Sequence, residues 1–573
     1  MQKQQTLQWP DYLVIGVVLA ISGLIGLYYR FTGGRQKTVE EYFSANRSMN
    51  ALPLAIALMV SFVSAITLLG ISSENYVYGT QFAIFYLGAA IGTPLAMYLY
   101  LPVFFQLNTT SVYEYLERRF GVTTRLVTSV AIFVQLMLYT GVVLYAPSLA
   151  LEATTGLSGT TSVLLIGLIC TFYSTIGGIK AVLVTDVFQG FLMFASILTV
   201  LGIANEEIEG GLASVWRLAN EGGRVNFFDF RLDPTVRHTW WGLLFGGACL
   251  FLSLYGVNQV QVQRLLTTKS LRSSQMALLL NLPFMLAFGL VTCYSGLALY
   301  AIYKDCDPTL SGSIDSPDKI MVFFVAERMS RLPGLPGLFV AGIFSASLST
   351  ISAMLNSLAA VALEDYVKPL CKIFRVEISD ERRTLLGKGL AILNGVICLL
   401  LAFLAREMGS LVEVAMSISG AIGGPVLGVF SLGIFLENAN EIGAVVGTIT
   451  GLTLGLWATF GQPRPIDHGL PVSIDACNST ILSSTPAPTN QTQDYFYLYK
   501  ISYVWYTPMG MQITMAIGIL ASFIASRVFR VKQRPLDPNL FTPCLAKRIR
   551  RRMENAEVIP SSQVFVLEAD LKS

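Results

Sequence analysis

The sequence predicts an all-α, polytopic membrane protein with about thirteen transmembrane helices, and three observations carry that expectation. Hydrophobic residues fill 53% of the 573 positions, while charged residues fill only 13%, about half the roughly 25% of a soluble domain. Mean hydropathy is +0.59. Most telling, the apolar residues lie in uninterrupted runs, and about 20 such residues in a helix cross the hydrocarbon core of a bilayer.

In chain order the runs are 12–29, 51–71, 82–106, 127–151, 162–178, 185–204, 240–258, 276–303, 337–361, 390–405, 411–435, 441–460 and 510–529. The first is too long for a cleavable signal, and Lys3 before it is offset by Asp11, so it is expected to remain as a span. Runs 162–178 and 185–204 are joined so tightly that they must form an antiparallel hairpin. Tyr28, Tyr29, Trp240 and Trp241 sit near span ends, where amphipathic rings favour the interface.

Lysine and arginine in the short loops set the orientation. Arg30, Arg35, Lys37 and Arg47 follow the first span; loop 72–81 has no basic residue; Arg118, Arg119 and Arg125 come next; 152–161 is again free of them. With Arg406 beside Glu407 a lone exception in a short outer loop, and the long loops 205–239 and 304–336 weighing little, the alternation continues to a basic tail with Arg530, Lys532, Arg534 and the cluster from Lys547 to Arg552. It predicts an extracellular N-terminus and a cytoplasmic C-terminus in the plasma membrane. The polar loop 461–508 then lies outside, where Asn478 and Asn490 are glycosylation sequons. Cys306 and Cys477 are the only cysteines this topology exposes to an oxidising compartment, so they form either a disulfide or two free thiols.

Several functions are excluded. A net charge of +3 gives no sign of a nucleic-acid partner, and no phosphate-cradling glycine, CxxC or HExxH motif occurs. No nucleophile–base arrangement points to an enzyme or to an organic cofactor. His238 and His468 lie outside the apolar runs, which argues against a histidine proton relay within the membrane.

Three segments break the apolar pattern. Residues 59–70 hold Ser61, Ser64 and Thr67; 251–264 crowd glycine and amides at the end of a run; 344–356 hold Ser345, Ser347, Ser349, Thr350, Ser352 and Asn356. An isolated Ser or Thr in a membrane helix usually serves packing. A dense cluster of hydroxyls without a countercharge instead suits an alkali cation, to which helix breaks add carbonyls facing a cavity.

The chain resembles the sodium/solute symporter family, in the branch of sodium-coupled monocarboxylate, multivitamin and iodide transporters. The matching segments run from about residue 11 to 460 and include Thr110-Ser111-Val112-Tyr113-Glu114-Tyr115, Tyr145-Ala146-Pro147, Thr185-Asp186-Val187-Phe188-Gln189, Tyr255-Gly256-Val257-Asn258-Gln259 and Leu348-Ser349-Thr350. The resemblance implies a leucine-transporter-like core of two inverted five-helix repeats, 51–204 and 240–435. Residues 1–50 hold the N-terminus, first helix and cytoplasmic loop; 205–239 form an extracellular loop; 436–529 are flanking helices; 530–573 are a cytoplasmic tail.

Position by position, the resemblance implies a sodium site built from the backbone carbonyls of Val60, Val63 and Ala346 and the hydroxyls of Ser349 and Thr350. It places Asp186 on the cytoplasmic exit path of that ion, although Asp186 could equally be a helix N-cap. Substrate would lie beside Phe62, Thr67, Tyr139, Tyr255 and Ser419. The chain departs from its branch at Ala346, where glycine is usual, at Glu413, where a neutral amide is common, and at Ser419 and Ala421, which replace a phenylalanine and a methionine. The last two changes would enlarge the pocket or admit water. The implied activity is alternating-access import of a small organic anion, foremost a monocarboxylate, driven by sodium. A multivitamin such as biotin or pantothenate is the alternative substrate, and a transporter-derived sensor or channel the alternative class. Oligomeric state is left open.

Overall fold

The structure, a computed structural model, describes residues 7–31, 45–107, 111–377, 379–405, 409–465, 469–477, 495–530 and 536–557. Asn478, Asn490 and His468 lie outside the described residues.

Among the described residues the regular secondary structure is helical, apart from one isolated bridge between Met49 and Thr268. Along the sequence, α1 spans Trp9–Phe31, α2 Ala51–Phe62, α3 Thr67–Tyr78 and α4 Thr80–Leu107. The short α5 covers Glu114–Arg119, then α6 Val122–Thr155, α7 Gly159–Glu207 and α8 Leu212–Glu221. Next are α9 Trp240–Gly256, α10 Gln259–Leu265, α11 Leu271–Tyr303, α12 Ile320–Arg328 and α13 Leu335–Ile373. The last are α14 Asp380–Ala405, α15 Leu411–Phe435, α16 Glu441–Phe460, α17 Tyr503–Arg527 and α18 Pro543–Glu557.

Ten of these helices are long and apolar enough to cross a bilayer, and two bent pairs, α2–α3 at 66° and α9–α10 at 58°, add up to two more spans. Of the expected run 162–178, only the portion of α7 up to Phe172 falls in the shorter apolar helix Gly159–Phe172, so the count of thirteen is not reached by these criteria among the described residues.

The helix assignment of α7 is unbroken, yet its two ends run in opposite directions. Gly167 meets Leu399 and Thr171 meets Gly395, so this end descends against α14. Further on, Asp186 faces Ser349 and Ser196 packs on Gly342, so the later part climbs back along α13, and Glu207 pairs with Arg328 at the end of α12 just before it. The reversal required of a hairpin therefore lies between Thr171 and Asp186.

Helices α13 and α15 form the centre, each with 94% of its most apolar window buried by protein. Their small residues explain how. Between lipid-like surfaces the hydrophobic effect drives little association, so close backbone approach must hold the helices together. The crossing of α4 and α9 shows the same device: a Cβ at Gly88 would come within 2.5 Å of the Leu244 carbonyl, and one at Gly92 within 2.6 Å of the Ala248 carbonyl.

On one face of the bundle, Cys306 and Cys477 are joined in a disulfide with a Cα–Cα distance of 5.1 Å. Backbone bonds from Asp307 to Ser473 (2.9 Å) and from Ala476 to Asp305 (3.0 Å) flank it. Arg224 donates to the Pro471 carbonyl at 2.7 Å, tying the same strip to the loop after α8.

Candidate functional site

The two breaks define the site. At the first, Val63 is extended (φ −77°, ψ 105°), and its N–H closes the last helical bond of α2, to Met59 at 2.8 Å. Carbonyls from Val60 onward therefore lose their partners one turn ahead and become available to other donors or to a cation. The break is held by an exchange: Ser64 N–H donates to Thr67 Oγ1 at 3.3 Å, and Thr67 N–H donates to the Ser64 carbonyl at 3.0 Å. At the second break, the Asn258 side chain caps α10 by accepting from Val260 N–H at 2.9 Å.

The hydroxyl cluster of α13 faces the first break. Thr350 Oγ1 donates to the Ala346 carbonyl at 3.0 Å and across to the Ser61 carbonyl at 3.3 Å. Thus Thr350 and the carbonyls of Ser61 and Ala346 converge, the α2 partner being Ser61, next to the expected Val60. The Ser349 hydroxyl lies beside Asp186 without closing a hydrogen bond, and the Ser345 and Ser347 hydroxyls are also buried without partners. Buried polar atoms are normally satisfied, so the cluster holds spare oxygens, as a cation site requires.

Asp186 is inside α7, not at its start, so the N-cap reading fails. Its Oδ2 instead accepts from Arg264 Nη1 at 2.6 Å, and the same nitrogen reaches the Ala57 carbonyl at 3.0 Å. This fully buried pair joins α7, α10 and α2 beneath the break.

Directly beside Ser61 lies a cavity of about 100 Å³. Of the expected substrate residues, Phe62, Thr67, Tyr139 and Ser419 line it. Tyr255 does not: it is buried behind the wall, stacked on Phe251 at 6.1 Å, while Phe251 packs on Phe62 at 4.9 Å. Ala421 is turned away too, packing its carbonyl against Gly455 of α16. The wall adds polar groups that the sequence reading had not assigned to it, Gln135, Asn258 and Gln261, and none of its side chains carries a formal charge. Gln261 Nε2 and Ser61 Oγ are 3.1 Å apart. A segment crowded with amides, 251–264, was the available signal for Asn258 and Gln261; Gln135, a single amide within α6, gave none.

Residues 42–451 match the sodium:solute symporter family. The chain belongs to that family. It is 47% identical to the "Putative sodium-dependent multivitamin transporter" of Drosophila melanogaster, over 95% of this chain and 92% of the other. It is 40% identical to the human sodium-coupled monocarboxylate transporter 1, over 92% and 88%. A solved Na+-coupled sialic acid symporter in a substrate-bound outward-open state superposes with a TM-score of 0.76 at 26% identity, covering 90% of this chain and 98% of that one. The fold is of the leucine-transporter type, and the protein is a sodium-coupled symporter rather than an enzyme.

On the disulfide side of the cavity the symporter carries a buried ionic network. Arg237, just before α9, forks onto Glu74 of α3 at 2.7 and 3.2 Å and reaches Glu413 of α15 at 3.0 Å. The guanidinium lies over the rings of Tyr78 (4.2 Å) and Tyr503 (5.0 Å). Glu74 also meets His238 and the Tyr503 hydroxyl, each at 3.1 Å. Glu413, which departs from its branch, is thus explained by an arginine partner.

Next to this network, buried Asp318 accepts the N–H of Leu411 at 2.9 Å at the start of α15. Burial is the largest influence on its carboxyl and pushes it up to about 6; Glu74 adds to the rise, while the Leu411 N–H, Ser73 and Arg237 oppose it. Because the folded state raises this pKa, it disfavours the carboxylate. The cost is absent below about pH 4, grows between about pH 4 and 6, and levels off above that at on the order of 3 kcal/mol. Melting curves of Asp318→Asn should therefore gain on those of the wild type as pH rises from about 4 to 7. A gap that is flat or narrows with pH would contradict the assignment.

Proposed function

We propose that this symporter imports a small monocarboxylate with sodium, the ion resting on the break of α2 and the anion in the adjoining cavity. One residue carries the reading: the Ser61 carbonyl touches Thr350 of the hydroxyl cluster, while Ser61 also lines the cavity. Ion and anion would share one wall. Sodium would be held by carbonyls of Val60, Val63 and Ala346 with the hydroxyls of Ser349 and Thr350. By fixing the broken helix, it would raise the population that can bind the anion, and by reciprocity the anion would tighten sodium.

The lining supports a carboxylate of modest size. With no cation in the wall, the anion would be met by neutral donors of Gln135, Asn258, Gln261, Thr67 and Tyr139, by the positive ends of α3 and α10, and by the neighbouring sodium. One water needs about 10–15 Å³ of such volume, so the cavity holds the equivalent of roughly seven to ten waters, ample for a carboxylate of a few carbons. A multivitamin remains the second reading, favoured by the resemblance to the Drosophila protein. The Asp186–Arg264 pair, under the ion, would act on its way to the cytoplasm. We also place the protein in the plasma membrane with its N-terminus outside.

Ser419→Phe tests the pocket. Overfilling a packed site costs about 1–3 kcal/mol, roughly a tenfold to hundredfold loss of affinity. Uptake constants for acetate, lactate, butyrate and biotin should diverge in the variant, with acetate spared and the longer substrates impaired. Equal loss for all four, or loss for none, would remove Ser419 from the substrate site.

A further inference from the structure

Helix α18 has no part in the transport reading, yet it carries the densest charge in the chain. Five of the six positions 547–552 are cationic: Lys547, Arg548, Arg550, Arg551 and Arg552. The helix is fastened to the bundle. Ala546 and Ile549 are buried, together with Leu540 and Phe541 just before them. The Tyr115 hydroxyl donates to the Leu540 carbonyl at 3.0 Å, Thr542 N–H donates to the Ile434 carbonyl at 3.4 Å, and the Arg119 guanidinium lies 4.9 Å over Phe541. Arg552 pairs with Glu437, and Arg550 donates to Asn539 at 2.8 Å. Lys547, Arg548 and Arg551 stay exposed, and no carboxylate among the described residues pairs with them.

The height of α18 follows from its attachments. It is bonded to the end of α15, and only residues 528–542 separate it from α17. The opposite end of α17 begins at Tyr503, which bonds Glu74; two residues along α3 is Tyr76, whose hydroxyl reaches Asp307 beside Cys306 at 2.6 Å. A helix of 25 residues spans about 37 Å, so α18 sits across the bilayer from the disulfide. Disulfides belong to oxidising compartments, which leaves α18 on the cytoplasmic face, level with the headgroups.

We propose that α18 docks on anionic phospholipid headgroups of the cytoplasmic leaflet through Lys547, Arg548 and Arg551, while its buried stripe keeps it on the transporter. Basic clusters next to a membrane helix are drawn electrostatically to such a surface, and screening by salt removes the attraction. The proposal rests on the cytoplasmic placement of α18 and is independent of which anion is carried.

Cys544, exposed at the start of α18, provides the probe once Cys249 and Cys371 are replaced by serine. The full chain, labelled there with a fluorophore, is placed in nanodiscs of phosphatidylcholine alone or with about one-fifth phosphatidylserine, each carrying a headgroup quencher. Quenching should rise with phosphatidylserine, and vanish at about 0.5 M salt. It should also vanish in Lys547→Gln/Arg548→Gln/Arg551→Gln, which leaves the Arg552 contact in place. The charge-retaining Lys547→Arg/Arg548→Lys/Arg551→Lys should respond as the wild type does. Equal quenching in both bilayers, insensitivity to salt, or a response that survives loss of the three charges would overturn the proposal. So would loss of the response in the charge-retaining variant.

Discussion

Thr350→Ala is expected to raise the apparent sodium constant roughly tenfold to hundredfold, because a bond to a charged group is worth about 1.5–3 kcal/mol. The substrate constant should move less, and mainly through the loss of coupling at subsaturating sodium. Thr350 also bridges the Ala346 and Ser61 carbonyls, so a purely structural role would instead reduce folded protein at the surface. Thr350→Ser separates the two: it keeps the oxygen and should retain most of the sodium affinity. Sodium activation curves with surface labelling decide the matter. An unchanged curve in Thr350→Ala would remove the residue from the ion site.

Arg237→Met is expected to be strongly destabilising. Arg237 and Glu74 are both nearly inaccessible, and removing one partner of a buried pair typically costs about 3–5 kcal/mol because the other charge stays behind. Replacing both, in Glu74→Gln/Arg237→Met, should recover much of that loss. His238 and Tyr503 would still have an amide oxygen to meet. Thermal unfolding of the purified single and double variants measures the difference. A double variant no more stable than Arg237→Met alone would show that the network does not act as a charge pair.

Much of this architecture was legible in the sequence because a membrane imposes length and polarity on each span. The runs gave the spans, and tight spacing gave the reversal within α7. Hydroxyls and amides inside otherwise apolar segments marked both breaks. What could not be read depends on which side of a helix faces inward. Tyr255 sits at a break yet points behind Phe251, and Ala421 is only two residues from Ser419 but meets α16. Gln135 is one amide in a 34-residue helix, with nothing around it in sequence to distinguish a wall from a packing contact. Long-range pairing was equally hidden. Glu413 stood out as a departure, but its partner Arg237 lies 176 positions earlier. Asp186 stood out too, and only the fold brings Arg264 to it.

The central claim is that a sodium gradient drives a carboxylate through the cavity beside Ser61. Purified protein in sealed liposomes, given labelled butyrate outside and an inward sodium gradient, tests it most directly. Butyrate should accumulate above its equilibrium level, and the excess should disappear when choline replaces sodium or an ionophore dissipates the gradient. Uptake that is equal in choline, or that never exceeds equilibration in sodium, would contradict the account.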